Sequence, residues 1–370
     1  MSERYLFPLE RALRSKAENR DESPDHRDDL FVRYQAILSY LETNVYRFID
    51  AGLASLSEEN GLYTLHNKDH FDEVVKYAGE LLGCTNESAN FTHLSAYELF
   101  ILLVAIRLHD AGNMYGRENH ERQAYNIFLK MGDAVGRDRI EKSFIAEIAQ
   151  AHGGRAADGS KDTIGQLEWN ISYRNLHIRA RVIAALVRFA DEICESQNRA
   201  ANVLLEDGKV KGENEVFHKY ASCITSVTVV PTATVNPTTL VEKGCPKEIV
   251  LEFNIDAEDC ARKWGKTQDG RLVEVDLIEE IFLRLEKMFR EREYCVKYMR
   301  EICNVVLIKA IINVWRDVQR EGIVIRELVW SRVFTSEEEG YPENIRSISE
   351  RYGVTGETLR QFLQGSSQSV

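Results

Sequence analysis

His109 and Asp110 stand side by side where an apolar run gives out, in ELFILLVAIRLHDAGNMYGRENHERQAY (Glu98–Tyr125), and His120 follows ten residues later. An adjacent imidazole and carboxylate with a further imidazole nearby form a mixed nitrogen and oxygen donor set, which suits a first-row divalent cation. Two other stretches could complete it. Upstream, YTLHNKDHFDEVV carries His66 and His70 at a four-residue step, which a helical turn places on one face. Downstream, IAEIAQAHGGR supplies His152 and IAALVRFADEIC supplies Asp191, each closing an apolar helical run. A single histidine is ordinarily a surface or satisfied core residue, but five of the nine here fall in this pattern, which favours metal binding. His66 is open between a ligand, a phosphate contact and a helix cap.

The elements that must position these groups are mostly helices. Leu99, Leu102, Leu103, Ala105 and Ile106 recur at three- and four-residue steps, so one face of a buried helix delivers His109 and Asp110 to its end, where Gly112 stops it. FVRYQAILSYLETNVYRFIDAGL (31–53) reads as an amphipathic helix, GRDRIEKSFIAEIAQAH as a helix reaching His152, and 175–198 as one long helix carrying Asp191. GGRAADGSKDTIGQLE is a polar, Gly-rich loop at the mouth of the site and suits a lid.

The order His70, His109-Asp110, His120, His152, Asp191 resembles the HD-superfamily metal-dependent phosphohydrolases over roughly residues 60 to 200. The resemblance implies that His70, His109, Asp110 and Asp191 hold one metal, with His120 and His152 as ligands of a second. The cofactor is then Mn2+, Mg2+, Fe2+, Ni2+ or Zn2+, as one or two ions, and Asp110 is the candidate bridge. With a single ion, His120 or His152 is free to act as general acid. HDAGNMYGRENHE also looks like the deoxynucleoside triphosphate triphosphohydrolase branch, departing from it at Asn113, where a His is common. HD proteins with a β insert and a C-terminal extension further resemble components of prokaryotic conflict and antiviral systems.

The resemblance makes the fold mainly α: an HD-domain helical bundle with a small antiparallel β insertion and a helical C-terminal extension. The segments read as a charged stretch over 1–29 (with a solvated helix, then a linker, over 11–29), the HD core over 30–203, a β-rich insertion over 204–262, helices over 263–330, and a helix-turn-helix-like tail over 331–370. In that tail Glu343, Glu350 and Glu357 balance Arg346, Arg351 and Arg360, so the phosphate affinity of a DNA reader is missing and a protein partner is the better reading.

Net charge is −12 over 370 residues, which disfavours a nucleic-acid-coating or membrane-surface protein. Neither a secretory signal nor a long apolar span is present in the sequence, so a cytosolic protein is expected. Seven cysteines with no CxxC pair fit reduced thiols. Arg117 and Arg122 near His120, Arg155 in the loop, and Arg179 before Asp191 are candidates for bidentate phosphate contacts. Together these readings predict a metal-dependent phosphohydrolase of nucleotides, a deoxynucleoside triphosphate triphosphohydrolase first. The alternatives are an HD phosphodiesterase or nuclease, or a nucleotide sensor without turnover. A nucleotide effector and a homo-oligomer are expected partners.

Overall fold

The computed structural model describes residues 5–49, 68–84, 93–132, 135–136, 138–197, 212, 214–231, 246–337 and 341–365. The chain begins with α1 (Pro8–Lys16), whose Leu9, Ala12 and Leu13 recur at helical spacing and are buried in the core. The expected solvated N-terminal helix is therefore corrected: Arg14 is exposed, but the apolar stripe docks and Glu10 is buried with it. Asp29 caps α2 (Leu30–Leu41), its carboxylate accepting from the Phe31 and Val32 N–H groups, and a wider helical turn continues to Tyr46. His70 rides on the first turn of α3 (Lys68–Leu81).

At the centre lies α4 (Ala96–Leu108), flanked by α1, α2 and α3 and, later in the chain, by α6 (Arg139–Gln150) and α7 (Ala180–Glu192). Every residue of α4 is buried, so it is apolar all round where one buried face was expected. It ends at Leu108, before Gly112, and a 3-10 turn over Ala111–Tyr115 takes over. The short α5 (Ala124–Lys130) precedes α6. A hairpin of β1 (Ile171–Tyr173) and β2 (Leu176–Ile178) precedes α7, so the single helix expected over 175–198 is divided. Arg174, in the left-handed region at φ 53°, makes the turn.

Beyond the helices, α8 (Glu215–Cys223) leads into β3 (Ile224–Pro231) and β4 (Pro246–Asp256). The short α9 (Ala257–Ala261), a hairpin of β5 (Lys263–Gln268) and β6 (Arg271–Asp276), the long α10 (Leu277–Met299), then β7 (Asn304–Arg320) and β8 (Ile323–Thr335) follow. The main sheet has the order β3-β4-β7-β8, with β4 and β7 parallel and the outer pairs antiparallel. Two expectations are corrected here. The sheet is mixed rather than antiparallel, and of residues 263–330, expected as helices, 263–276 form the β5-β6 hairpin and 304–330 supply half of the main sheet. Val305, Ile308, Ala310, Ile312 and Val314 are the buried residues of β7, mostly at a two-residue step, while Glu321 and Gly322 take the positive φ of a tight hairpin turn. The tail forms α11 (Ile348–Tyr352) and α12 (Gly356–Gly365) around Gly353, which sits in the left-handed region. It packs on α10, where Glu286 accepts the Ile348 N–H, and on β8, where the Tyr352 hydroxyl meets Thr335. Among the described residues, no helix is long and apolar enough to cross a membrane.

Two buried charge clusters fix α4. Near its end Arg107, fully buried, donates to Asp72 Oδ1 at 2.6 Å, to Glu10 Oε1 at 3.2 Å and to the Tyr34 hydroxyl at 3.1 Å, tying α3, α1 and α2 to the residue two before His109. At its start the Ser95 hydroxyl and the Glu98 carboxylate form a reciprocal cap, and the same carboxylate accepts two bonds from the Arg179 guanidinium, at 2.8 and 2.6 Å. Burial alone would raise the Glu98 pKa, but Arg179 and the backbone N–H groups hold it below its usual 4.5.

Arg107→Met should cost about 3–5 kcal/mol in urea unfolding, because it strands the buried Glu10 carboxylate. Glu98 ionises more readily in the folded chain than in the unfolded one, so its contribution is full above pH 4.5 and fades as the pH falls through the folded value. Thermal melts of Glu98→Gln should show lower stability at pH 7 and a shallower further loss in acid than the wild type.

Candidate metal centre

Four imidazoles converge from four places in the chain. His70 comes from the first turn of α3, His109 caps α4, His120 opens a 3-10 turn ahead of α5, and His152 lies just past α6. Each Nδ1 is engaged away from the cluster. That of His109 donates to the Ile106 carbonyl at 2.7 Å, that of His152 to Ala149 at 2.6 Å and that of His120 to Arg117 at 2.8 Å, while that of His70 faces Cys194 Sγ at 3.5 Å. A carbonyl can only accept, so three rings carry their proton on Nδ1 and present the Nε2 lone pair inward. This second layer of contacts is what orients metal-binding histidines.

Asp110 sits between two pairs of rings. Its Oδ2 lies 4.0 Å from both His70 Nε2 and His109 Nε2, and its Oδ1 lies 2.8 Å from His120 Nε2 and 3.4 Å from His152 Nε2. Asp191, at the end of α7, places Oδ1 3.2 Å from His70 Nε2 and 3.5 Å from His109 Nε2. The donors therefore form two sets, His70, His109, Asp110 and Asp191 on one side and Asp110, His120 and His152 on the other, joined through one carboxylate. The spacings suit ligands that share a cation at bond lengths of about 2.1 Å.

The electrostatics agree. Burial would raise the pKa of Asp110, yet His109, His120, His152 and Arg117 hold it well below the usual carboxylate range, and His109 and His70 do the same for Asp191. Burial would likewise depress His109, but the two aspartates lift it to about 9. The field of the two aspartates, which would hold a proton on His109 Nε2, equally favours a cation in that proton's place. The donor set thus fits one or two divalent ions.

Gly112 has a role other than the expected helix stop. A Cβ there would collide with the His120 backbone carbonyl, so only glycine lets the segment bearing His120 close over the end of α4. Asn113, fully buried, offers Oδ1 to Arg117 Nη1 at 3.4 Å, and the same Nη1 lies 3.7 Å from Asp110.

A cavity of about 290 Å3 adjoins the cluster, lined by Asp110, His120, His152 and Asp191, by Arg117, Lys161, Arg188, Arg284 and Lys287, and by Glu192, Glu195 and Glu291. Of the arginines expected at substrate, Arg117 faces this cavity. Arg122 and Arg155 line a neighbouring one. Arg179 does not take part: it is spent on Glu98 at the start of α7, twelve residues and so about 18 Å along the helix from Asp191. His66 lies outside the described residues. The sequence reading missed four cations. Arg188 was within reach, since it precedes Asp191 by three residues and shares its face of α7. Lys161 lies in the glycine-rich loop, and nothing local ties Arg284 and Lys287 of α10 to the site. That loop is pinned rather than built as a lid: Arg188 Nη1 donates to the Lys161 carbonyl at 2.7 Å, Lys297 pairs with Asp162 at 2.5 Å, and the Thr163 hydroxyl donates to the Ala151 carbonyl at 2.6 Å.

The HD-CE family matches residues 61–269, more than half of the chain. Among curated proteins and among solved structures, nothing matches.

Equilibrium dialysis against Mn2+ should find two ions bound to the wild type. Gly112→Ala, which pushes the His120 segment away, should lose one ion and keep the other, and Asp110→Ala should weaken both. A Gly112→Ala protein that still holds two ions would contradict the role given to this close approach.

Proposed function

This chain belongs to the HD-CE family, and we propose that it is a metal-dependent phosphohydrolase of nucleotides, with a deoxynucleoside triphosphate as substrate. One observation carries the reading: a single buried carboxylate, Asp110, is shared by two imidazole pairs whose outer nitrogens are fixed by separate contacts. Such a donor set serves hydrolysis of phosphoesters, because bound divalent ions supply Lewis acidity toward water and toward phosphoryl oxygens.

The chain's own residues supply the rest. Arg117 is held beside Asp110 by Asn113, and Lys161 lines the same cavity, so both can pair with phosphate oxygens. Arg188 and Lys287 line the cavity already paired, with Glu291 at 2.5 Å and Glu192 at 2.7 Å, and so fix its shape. In the proposed reaction water oxygen bonds to the α-phosphorus, the bond from that phosphorus to the 5′ oxygen breaks, and the 5′ oxygen takes a proton. With both ions held, His120 is a donor to the second one and that proton comes from water in the cavity; with a single ion, His120, whose side chain is partly open to the cavity, would be free to give it. The products are tripolyphosphate and a deoxynucleoside. Nucleotide depletion as a defence output belongs to this proposal and is supported by the sequence resemblance.

Purified protein with Mn2+, Mg2+, Ni2+ or Fe2+ should be offered deoxynucleoside and ribonucleoside triphosphates, cyclic dinucleotides and single-stranded oligonucleotides, with products separated by chromatography. Tripolyphosphate plus deoxynucleoside is the expected result, falling to background in Asp110→Ala and His109→Ala. A linear dinucleotide or shortened oligomers would move the substrate to another class. Nucleotide binding without product under every metal would reject an enzyme.

A further inference from the structure

The metal cavity is not alone. A second cavity of about 310 Å3 shares Gly153 and Gly154 with it as lining, so the two adjoin across this glycine pair. A Cβ built on Gly153 would meet nothing within 4 Å, and no side chain fills that position between the two spaces. Each volume alone is at the lower end for a small-molecule site, and the two together fall well inside the usual range of ~300–1,000 Å3.

Their linings differ in kind. The metal cavity is crowded with charge, whereas the second has an apolar floor of Ala151, Ala156 and Leu167 and two exposed primary amides, Gln150 and Gln166. Neither amide has a protein partner among the described residues. A carboxamide presents a donor and an acceptor together, the pairing that matches the edge of a nucleobase. Its charged residues are few, Arg122 and Arg155 against Glu121 and Glu147, where the metal cavity sets five acids against five cations, so the less charged space is the better seat for an uncharged group. Its walls are set in advance by the pinned loop, as the bonds from Thr163 to Ala151 and from Arg188 to Thr163 show.

We propose that this second cavity seats the nucleoside half of the substrate, with Gln150 and Gln166 reading the base edge, while the metal cavity takes the phosphates. The assignment rests on the nucleotide reading above. It makes Gly153 the crossing point for the 5′ carbon, and it makes the glutamines specificity residues that need not touch the reacting atoms.

The test is equilibrium titration of the full Mn2+-loaded chain with each of the four deoxynucleosides and, separately, with tripolyphosphate, neither of which turns over. The wild type should bind tripolyphosphate and at least one deoxynucleoside at the same time. Gln150→Ala and Gln166→Ala should each weaken that deoxynucleoside about fivefold, the loss of one hydrogen bond. Their tripolyphosphate affinity should stay at the wild-type value. Competition between the two ligands, wild-type affinity in both glutamine variants, or no deoxynucleoside binding at all would overturn the inference. Failure of the underlying reading looks different: a deoxynucleoside bound through the glutamines, with no hydrolysis of any nucleotide under any metal, would retire the phosphohydrolase and leave the subsite. Nucleotide hydrolysis with unchanged KM in both glutamine variants would do the reverse.

Discussion

A carboxylate that is almost fully out of water must be surrounded by positive charge or by donors, and Asp110 meets that requirement with four imidazoles and an arginine. Most of the helical region can be understood as the scaffold this one group needs. Its position at the end of α4 is set by a helix buried on all sides, which can neither rotate nor slide without exposing apolar surface. The two polar clusters at the ends of that helix add direction: Glu98 with Arg179 at the start, Arg107 with Glu10 and Asp72 at the finish. His109 and His152 arrive from helix C-terminal ends, where backbone carbonyls left without helical partners are available to hold the Nδ1 proton.

The His and Asp residues that converge here were legible in the sequence because His109, His152 and Asp191 each close an apolar helical run, with His70 and His120 at helix starts, and those patterns are local. What failed was long-range. Gly112 looks like a helix stop, but its reason is the His120 carbonyl pressed against it, a contact made by the fold. The β7 run NVVLIKAIINVW has apolar residues at steps of two, three and four, so its periodicity admits a helix as readily as a strand, and pairing with β4 decides for strand. Leu9, Ala12 and Leu13 were hidden in a charged segment, one of whose acids, Glu10, is itself buried against Arg107. Arginines were least legible: Arg179 and Arg188 both lie in the α7 segment, one spent on a helix start and the other on the cavity wall, and only the partners Glu98 and Glu291 distinguish them.

The HD-CE match ends at residue 269, yet Arg284, Lys287 and Glu291 of α10 line the metal cavity. The site is therefore completed by a helix beyond the matched span. That helix also carries the tail, since Glu286 accepts the Ile348 N–H and Glu279 the Gly356 N–H. The wall of the cavity and the docking of the last two helices are thus properties of one rigid element, and the second cavity gains its fixed shape from the same helix through Lys297 and Asp162.

The central claim is that Asp110 joins two cation sites, and electron paramagnetic resonance of the protein titrated with Mn2+ tests it most directly. Two ions bridged by one carboxylate are close enough for their spins to couple, so the fully loaded chain should give the many-line spectrum of an exchange-coupled pair, and Asp110→Ala should not. A spectrum of isolated, uncoupled Mn2+ at full loading of the wild type would contradict the account.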